Sequence, residues 1–226
     1  DIIHYNSSVT KKVYESFFSL PNSCVLNITH LNICDNRKIK EFSNDKLHIR
    51  YLGPNGGEKG FFLLKAALDK LWKERQNFCL DVHFTPKELS PYMNVHNRYS
   101  YAELEQIFGE SDILVVPSIW YETFGFTVLE ALSYGVPVVV SETVGAKDIM
   151  AENVGVIVKN ISSQRLYETL KNITQDNLKK MNKNIVEKQA IMEITDMSEL
   201  IEQECYGWKQ NKIIKKSISE RWNNAE

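Results

Sequence analysis

The segment from Asp112 to Ile149 constrains the fold more than any other part of this chain. Ile113-Leu114-Val115-Val116 is a continuous apolar run, and a second, Val138-Val139-Val140, follows after Gly135 and Pro137. Strands buried on both faces read in this unbroken way, whereas half-exposed strands alternate. Between the runs lies a short helical stretch opened by Gly125. Parallel strands need such a crossover, so the order strand, turn, helix, strand is a parallel βαβ unit. Its first loop, Ser118 to Gly125, must then lie beyond the carboxyl end of a strand, where open parallel sheets bind their ligands.

That loop and helix carry two glutamates, Glu122 and Glu130, eight positions apart. A helix rises about 1.5 Å per residue, so from Gly125 to Glu130 the chain advances roughly 8 Å, comparable to a diphosphate with part of a sugar on either side. One carboxylate could hold one end of an elongated ligand and the second the other. Between them the N–H groups of Phe124, Gly125 and Phe126 open the helix, and its positive dipole end suits a phosphate. Gly125 would let that ligand approach without a Cβ in the way. The same residues allow a plainer reading, in which Glu122 only offsets the helix dipole and Glu130 faces water, as most helical glutamates do. Val128, Leu129, Ala131 and Leu132 weigh toward the first, because they make the helix apolar on most sides.

The rest of the chain repeats the βα pattern. Leu47 to Leu52 reads as a strand, Gly53 to Gly60 as a turn and Phe61 to Glu74 as a helix, with Leu63, Leu64, Ala67, Leu68 and Leu71 at helical spacing. The turn is neither a dinucleotide fingerprint nor a Walker loop, since Lys59 follows Glu58 and no Ser or Thr follows it; alone it is an ordinary βα turn. Phe78 to Phe84 is a strand, Tyr101 to Phe108 a helix opened by Ser100, and Val154 to Val158 a strand before a helix capped by Ser162 or Ser163. Upstream, Ile2 to Tyr5 and Cys24 to Ile28 read as strands around a helix from Val9 to Phe18 with Ser7 as N-cap. Residues 35–45 are charged and weakly patterned, as an interdomain connection would be. The expected fold class is α/β: a Rossmann-like parallel sheet with helices on both faces, followed by C-terminal helices. Beyond Asn172 the chain reads as helical and charged to its end, with a stripe of Leu200, Ile201, Cys205, Trp208, Ile213 and Ile214 that packs on its own protein. Lys212, Lys215 and Lys216 could touch an anionic membrane surface, and a solvated helix face accounts for them as well.

Charge and cysteine usage exclude several classes. A net charge of −2 leaves no electrostatic footprint for nucleic acid. Cys24, Cys34, Cys79 and Cys205 form no framework, which suggests reduced thiols in a cytoplasmic setting. The five histidines show no ligand spacing, so no metal site is expected. No stretch is long and apolar enough to span a bilayer, and the opening at Asp1, without initiator methionine or signal peptide, reads as a cut in mid-architecture.

From Asp112 to Met150 the chain resembles the donor-binding half of retaining GT-B glycosyltransferases of the family-four group, the glycosyl transferases group 1. The matching residues are Glu122, Phe124-Gly125, Glu130-Ala131, Gly135-Val136-Pro137, Val138 to Val140, Gly145 and Asp148. Tyr51-Leu52-Gly53 and Glu58-Lys59-Gly60 extend the likeness to residues 46–175. The resemblance implies a nucleotide-sugar donor-binding domain there, with residues 1–45 as the tail of an acceptor domain and 176–226 as helices crossing back toward it. It further implies Glu122 and Lys59 as catalytic residues. Donor binding would fall to Gly53, Lys59, Glu122, Thr123, Phe124, Gly125, Phe126, Glu130 and Val95: Lys59 on the diphosphate, Glu130 on the ribose, and backbone near Val95 on the base. The nucleotide-sugar is a substrate, and neither cofactor nor metal is implied. Sugar would pass with retention to a glycan or lipid-linked acceptor held by the N-terminal domain, in the cytoplasm or peripherally at a membrane, and this chain alone would be inactive. One departure stands out. Where the family commonly has Gly-Arg, this chain has Gly53-Pro54, so a fork on the phosphates is missing unless Arg50 or Arg98 replaces it. That keeps open a non-catalytic scaffold or partner subunit, and a GT-B phosphorylase or epimerase also stays possible.

Overall fold

The apolar runs form the middle of a sheet. A computed structural model describes residues 2–42 and 46–206, with side chains described to residue 203. The strands are β1 (Ile3–Tyr5), β2 (Ser23–Val25), β3 (Leu47–Tyr51), β4 (Phe78–Val82), β5 (Met93–Val95), β6 (Ile113–Val116), β7 (Val138–Ser141) and β8 (Gly155–Val158). The helices are α1 (Ser8–Glu15), α2 (Phe61–Trp72), α3 (Leu104–Gly109), α4 (Phe126–Ser133), α5 (Ser163–Lys171), α6 (Gln175–Lys188) and α7 (Ile194–Tyr206).

Six strands pair in the order β5-β4-β3-β6-β7-β8, every neighbour parallel. The chain lays down β3, β4 and β5 in one direction, then returns to set β6 on the other side of β3. The order therefore reverses between β3 and β6, the crevice where a Rossmann-like sheet takes its ligand. Alternation along each strand divides the core. Ile49, Tyr51, Leu80, Ile113 and Val115 pack with Leu64, Leu68 and Leu71 of α2 and Leu166 and Leu170 of α5. Leu114, Val138 and Val140 face the other way, onto Ile107 and Phe108 of α3 and Val128, Leu129 and Leu132 of α4.

β1 and β2 pair in parallel in a small sheet of their own. Ser7 caps α1 by accepting from the Thr10 N–H, and its hydroxyl donates to the Thr123 carbonyl at 2.5 Å. Ser8 gives both its N–H and its hydroxyl to Asp148, so the N-terminal unit is fastened to the loops after β6 and β7.

Several boundaries differ from the sequence expectation. α1 stops at Glu15 rather than Phe18, because the N–H and hydroxyl of Ser16 both turn back to the Val13 carbonyl. The helix expected from Tyr101 begins as a 3₁₀ turn, Tyr101–Glu103, closed by a capping box between Ser100 and Glu103. β5, at the sheet edge, was not foreseen. The charged C-terminal stretch is divided into α6 and α7 by a break at Gln189, whose side chain donates to the Ile149 carbonyl and accepts from the Ala151 N–H, both at 2.9 Å. Trp208, Ile213, Ile214 and the lysines at 212, 215 and 216 lie outside the described residues. Among the described residues no helix is long and apolar enough to cross a membrane.

Candidate functional site

A cavity of about 460 Å³ opens at the β3/β6 reversal. Tyr51, Leu52 and Gly53 enter it from the end of β3, and Val115 and Val116 from the end of β6. Each of these strands continues into a loop that brings a charge to the same place.

The two loops are laced together through one atom. The Glu58 carbonyl accepts from the Ile119 N–H at 2.9 Å, the Trp120 N–H at 3.0 Å and the Ser118 hydroxyl at 3.2 Å. So close an approach needs Gly60, whose φ is +75° and at which a Cβ would lie 1.8 Å from the Pro117 carbonyl oxygen. Tyr51 donates its hydroxyl to the Pro54 carbonyl at 2.9 Å and shapes the glycine loop from inside. On the far side, Glu122 bridges to the segment after β7: its N–H reaches the Thr143 carbonyl at 2.9 Å, and its carbonyl accepts from the Gly145 N–H at 3.1 Å. With both backbones fixed, Lys59 Nζ sits 3.0 Å from Glu122 Oε1. This ion pair is partly open to the cavity, and opposite charges held side by side can divide a polar ligand between them, the lysine taking an anion and the carboxylate hydroxyls.

Next to the pair begins α4, with Gly125 at φ +103° as its N-cap and no side chain capping it. Its first N–H groups have no intrahelical acceptor, and the helix dipole adds positive potential. One turn on, Glu130 also lines the cavity although it is only 5% exposed. Burial pushes its carboxyl up from 4.5 to about 7. His30 faces it, Nε2 at 3.3 Å from Glu130 Oε1, and burial lowers this imidazole. The Asn32 N–H points to His30 Nδ1 at 3.3 Å, which sets the neutral tautomer with its proton on Nε2. That Nε2 nevertheless lacks an aligned hydrogen-bond partner, so proximity here is not a formed bond. Phe126 meets the His30 ring edge-on at 5.0 Å between centroids, and Tyr101 flanks it at 5.4 Å.

The structure thus brings Gly53, Lys59, Glu122, Gly125, Phe126 and Glu130 around one cavity. Thr123 and Phe124 do not line it: the Thr123 carbonyl is taken by Ser7, and Phe124 is a core residue at 2% exposure. Val95 ends the edge strand β5, exposed and away from the cavity lining. Pro54 does line it. Arg50, one candidate to replace the missing arginine, is buried with Nε on Ser111 Oγ at 2.9 Å and does not line the cavity; neither does Arg98. Sequence reasoning missed His30, Tyr99 and Tyr101. His30 lies in the stretch read as the tail of an acceptor domain, and no local pattern marks it.

The histidines and cysteines, scattered in sequence, are not all scattered in space. Away from the cavity, His48, Cys79 and Asp81 hold their ligand atoms within 4.8 Å of one another.

A family model described as Glycosyl transferases group 1 matches residues 79–191. Sulfoquinovosyl transferase SQD2 of Arabidopsis thaliana is 33% identical over 113 residues, 48% of this chain and 22% of that protein. An uncharacterized glycosyltransferase of Methanocaldococcus jannaschii is 29% identical over 123 residues, 49% of this chain and 31% of that protein. The chain therefore matches well under half the length of these curated relatives. Among solved structures, sucrose-phosphate synthase from Thermosynechococcus elongatus superposes with a TM-score of 0.71 at 17% identity, over 92% of this chain and 58% of that one. HepE of Anabaena, solved in complex with UDP and glucose, gives a TM-score of 0.72 at 12% identity, over 91% and 62%. The fold is the Rossmann-like half of GT-B glycosyltransferases.

Proposed function

This chain belongs to the glycosyl transferases group 1 family, and from that premise we propose that its cavity binds a nucleotide-sugar donor whose sugar passes, with retention, to a glycan or lipid-linked acceptor. The observation that carries the reading is the arrangement of Lys59, the open N-terminus of α4 and two glutamates around one cavity at the sheet's switch point. Glu122 orients the donor sugar, Lys59 and the α4 N–H groups take the diphosphate, and Glu130 accepts from the ribose hydroxyls. Positive charge offered where the leaving diphosphate gains negative charge lowers the barrier to its departure, and holding the sugar beside the acceptor removes the entropy of encounter. Lys59 and the helix dipole supply that charge without a cofactor. The acceptor is held by a further domain, so this chain alone binds donor without turning it over.

The test is a thermal-shift comparison of this chain with UDP, GDP, ADP and dTDP. At about 100 times Kd, one of them should stabilise by roughly 2.7 kcal/mol, about 5 to 10 °C in a chain of this size. A flat response to all four would sink the donor reading, and sugar transfer by the isolated chain would sink the division of labour. Pro54 in the cavity, with Arg50 engaged elsewhere, supports a second reading, a non-catalytic scaffold for a partner transferase.

A further inference from the structure

The parallel register sets His48 beside Cys79 and Arg50 beside Asp81, on the face of β3 and β4 opposite α2 and α5. There the side chains are polar rather than apolar. Cys79 Sγ lies 3.3 Å from His48 Nδ1 and 3.6 Å from Asp81 Oδ2, and His48 Nδ1 lies 4.0 Å from that same oxygen. A tetrahedral zinc with ordinary bond lengths would separate sulfur, nitrogen and oxygen ligands by about 3.3 to 3.6 Å, so both sulfur pairs are already within a few tenths of an ångström of the need, and the nitrogen–oxygen pair must close by about half an ångström, a small rotation of the half-exposed His48 ring. Asp81 is oriented for it. Its other oxygen accepts from His96 Nε2 at 2.7 Å and from Asn94 Nδ2 at 3.1 Å, the outer contacts that fix a ligating carboxylate. Arg50 does not compete for Oδ2, since its guanidinium is spent on Ser111 and the Ile107 carbonyl and faces His83.

We propose that His48, Cys79 and Asp81 form a zinc site, distinct from the donor cavity, with a fourth position open to water. One thiol, one imidazole and one carboxylate form a borderline-soft donor set that suits zinc over magnesium or calcium. Cys79 and Asp81 are buried while the His48 side chain is 43% exposed, so the open position faces the solvent side. Cys79 releases its thiol proton to solvent as the metal enters. A reactive-thiol role fits less well, because burial pushes the Cys79 thiol up to about 11, away from a thiolate at neutral pH. The site would pin β3 to β4 from the sheet face that α2 leaves uncovered.

The probe is Co²⁺ titrated into the full chain, followed by displacement with Zn²⁺. One equivalent should bind with tetrahedral visible bands and a thiolate-to-cobalt absorption in the near ultraviolet. Cys79→Ser should abolish the latter and weaken binding at least a hundredfold. His48→Ala, at a half-exposed position that keeps the fold, should weaken it at least tenfold and cancel any rise in Tm on adding Zn²⁺. A variant with Cys24, Cys34 and Cys205 all changed to Ser should bind like wild type. Failure to take up one equivalent, or uptake indifferent to either Cys79→Ser or His48→Ala, would overturn the proposal.

Discussion

At the Lys59 end of the cavity the charges are already paired, whereas at the Glu130 end they are not. Lys59 and Glu122 meet at 3.0 Å on loops that share backbone hydrogen bonds, and both keep some contact with solvent. Glu130 is buried beside an imidazole that offers it no aligned bond. The rise of its carboxyl from 4.5 to about 7 corresponds to a penalty on the ionised form of about 3 kcal/mol. The first end is ordered before any ligand arrives. The second holds an unmet demand for hydrogen-bond donors, which two ribose hydroxyls would supply.

Substitutions at three positions sharpen or break this contrast. The largest effect is expected from Lys59→Ala, which should weaken nucleoside diphosphate binding by about 2 to 3 kcal/mol and nucleoside binding hardly at all, since only phosphates meet that charge. Calorimetry with UDP and uridine, or the pair that answers the thermal screen, checks it; equal losses for both would place the lysine outside the phosphate site.

Glu130→Ala should weaken nucleoside and diphosphate alike by about 1.5 to 2 kcal/mol, and Glu130→Gln by less, because the amide keeps one acceptor. pH separates the two ends further. The folded carboxyl titrates near 7 and the unfolded one near 4.5, so between these values the folded state holds the extra proton and stability falls as pH rises. Glu130→Gln removes that loss, and its Tm should exceed wild type by more at about pH 8 than at about pH 5. Ligand binding runs the other way, with nucleoside affinity of the wild type increasing as pH passes upward through about 7. A pH-independent difference in Tm would mean that burial does not govern this carboxyl.

The smallest change is expected from Pro54→Arg, which should add a bidentate phosphate contact and tighten diphosphate binding by about 1 kcal/mol. If Lys59→Ala costs nothing and Pro54→Arg adds nothing, the glycine loop is only a turn, and the scaffold reading prevails.

What could be read from the sequence follows the distance over which each feature is determined. Glu122, Gly125 and Glu130 belong to one βα unit, and strand β6 was expected over the same four residues, Ile113 to Val116, because an unbroken apolar run leaves little choice. β5 escaped notice because it is three residues long, with Asn94 and Val95 exposed, and an edge strand needs no apolar pattern. Phe124 is expected to offer only its backbone N–H to a ligand, and its ring turns into the core beneath α4, a placement that the glycine motif does not specify. His30 reaches Glu130 from 100 positions away, and His48 reaches Cys79 across 31. Only strand register and the packing of the N-terminal unit create those neighbours, and neither leaves a local mark in the sequence.

The Glu58 carbonyl has a consequence for timing. With the Ile119 and Trp120 amides both bound to that one oxygen, neither loop can swing out without releasing the other. Opening on that side is then a single cooperative event, with the slow amide exchange of a joined unit rather than of two surface turns. Adjustment to ligands of different size falls to the opposite wall, where Tyr99, Ser100 and Tyr101 enter the cavity. The cavity thus has one fixed jaw, and on the proposed reading the choice of donor is altered most readily on the other.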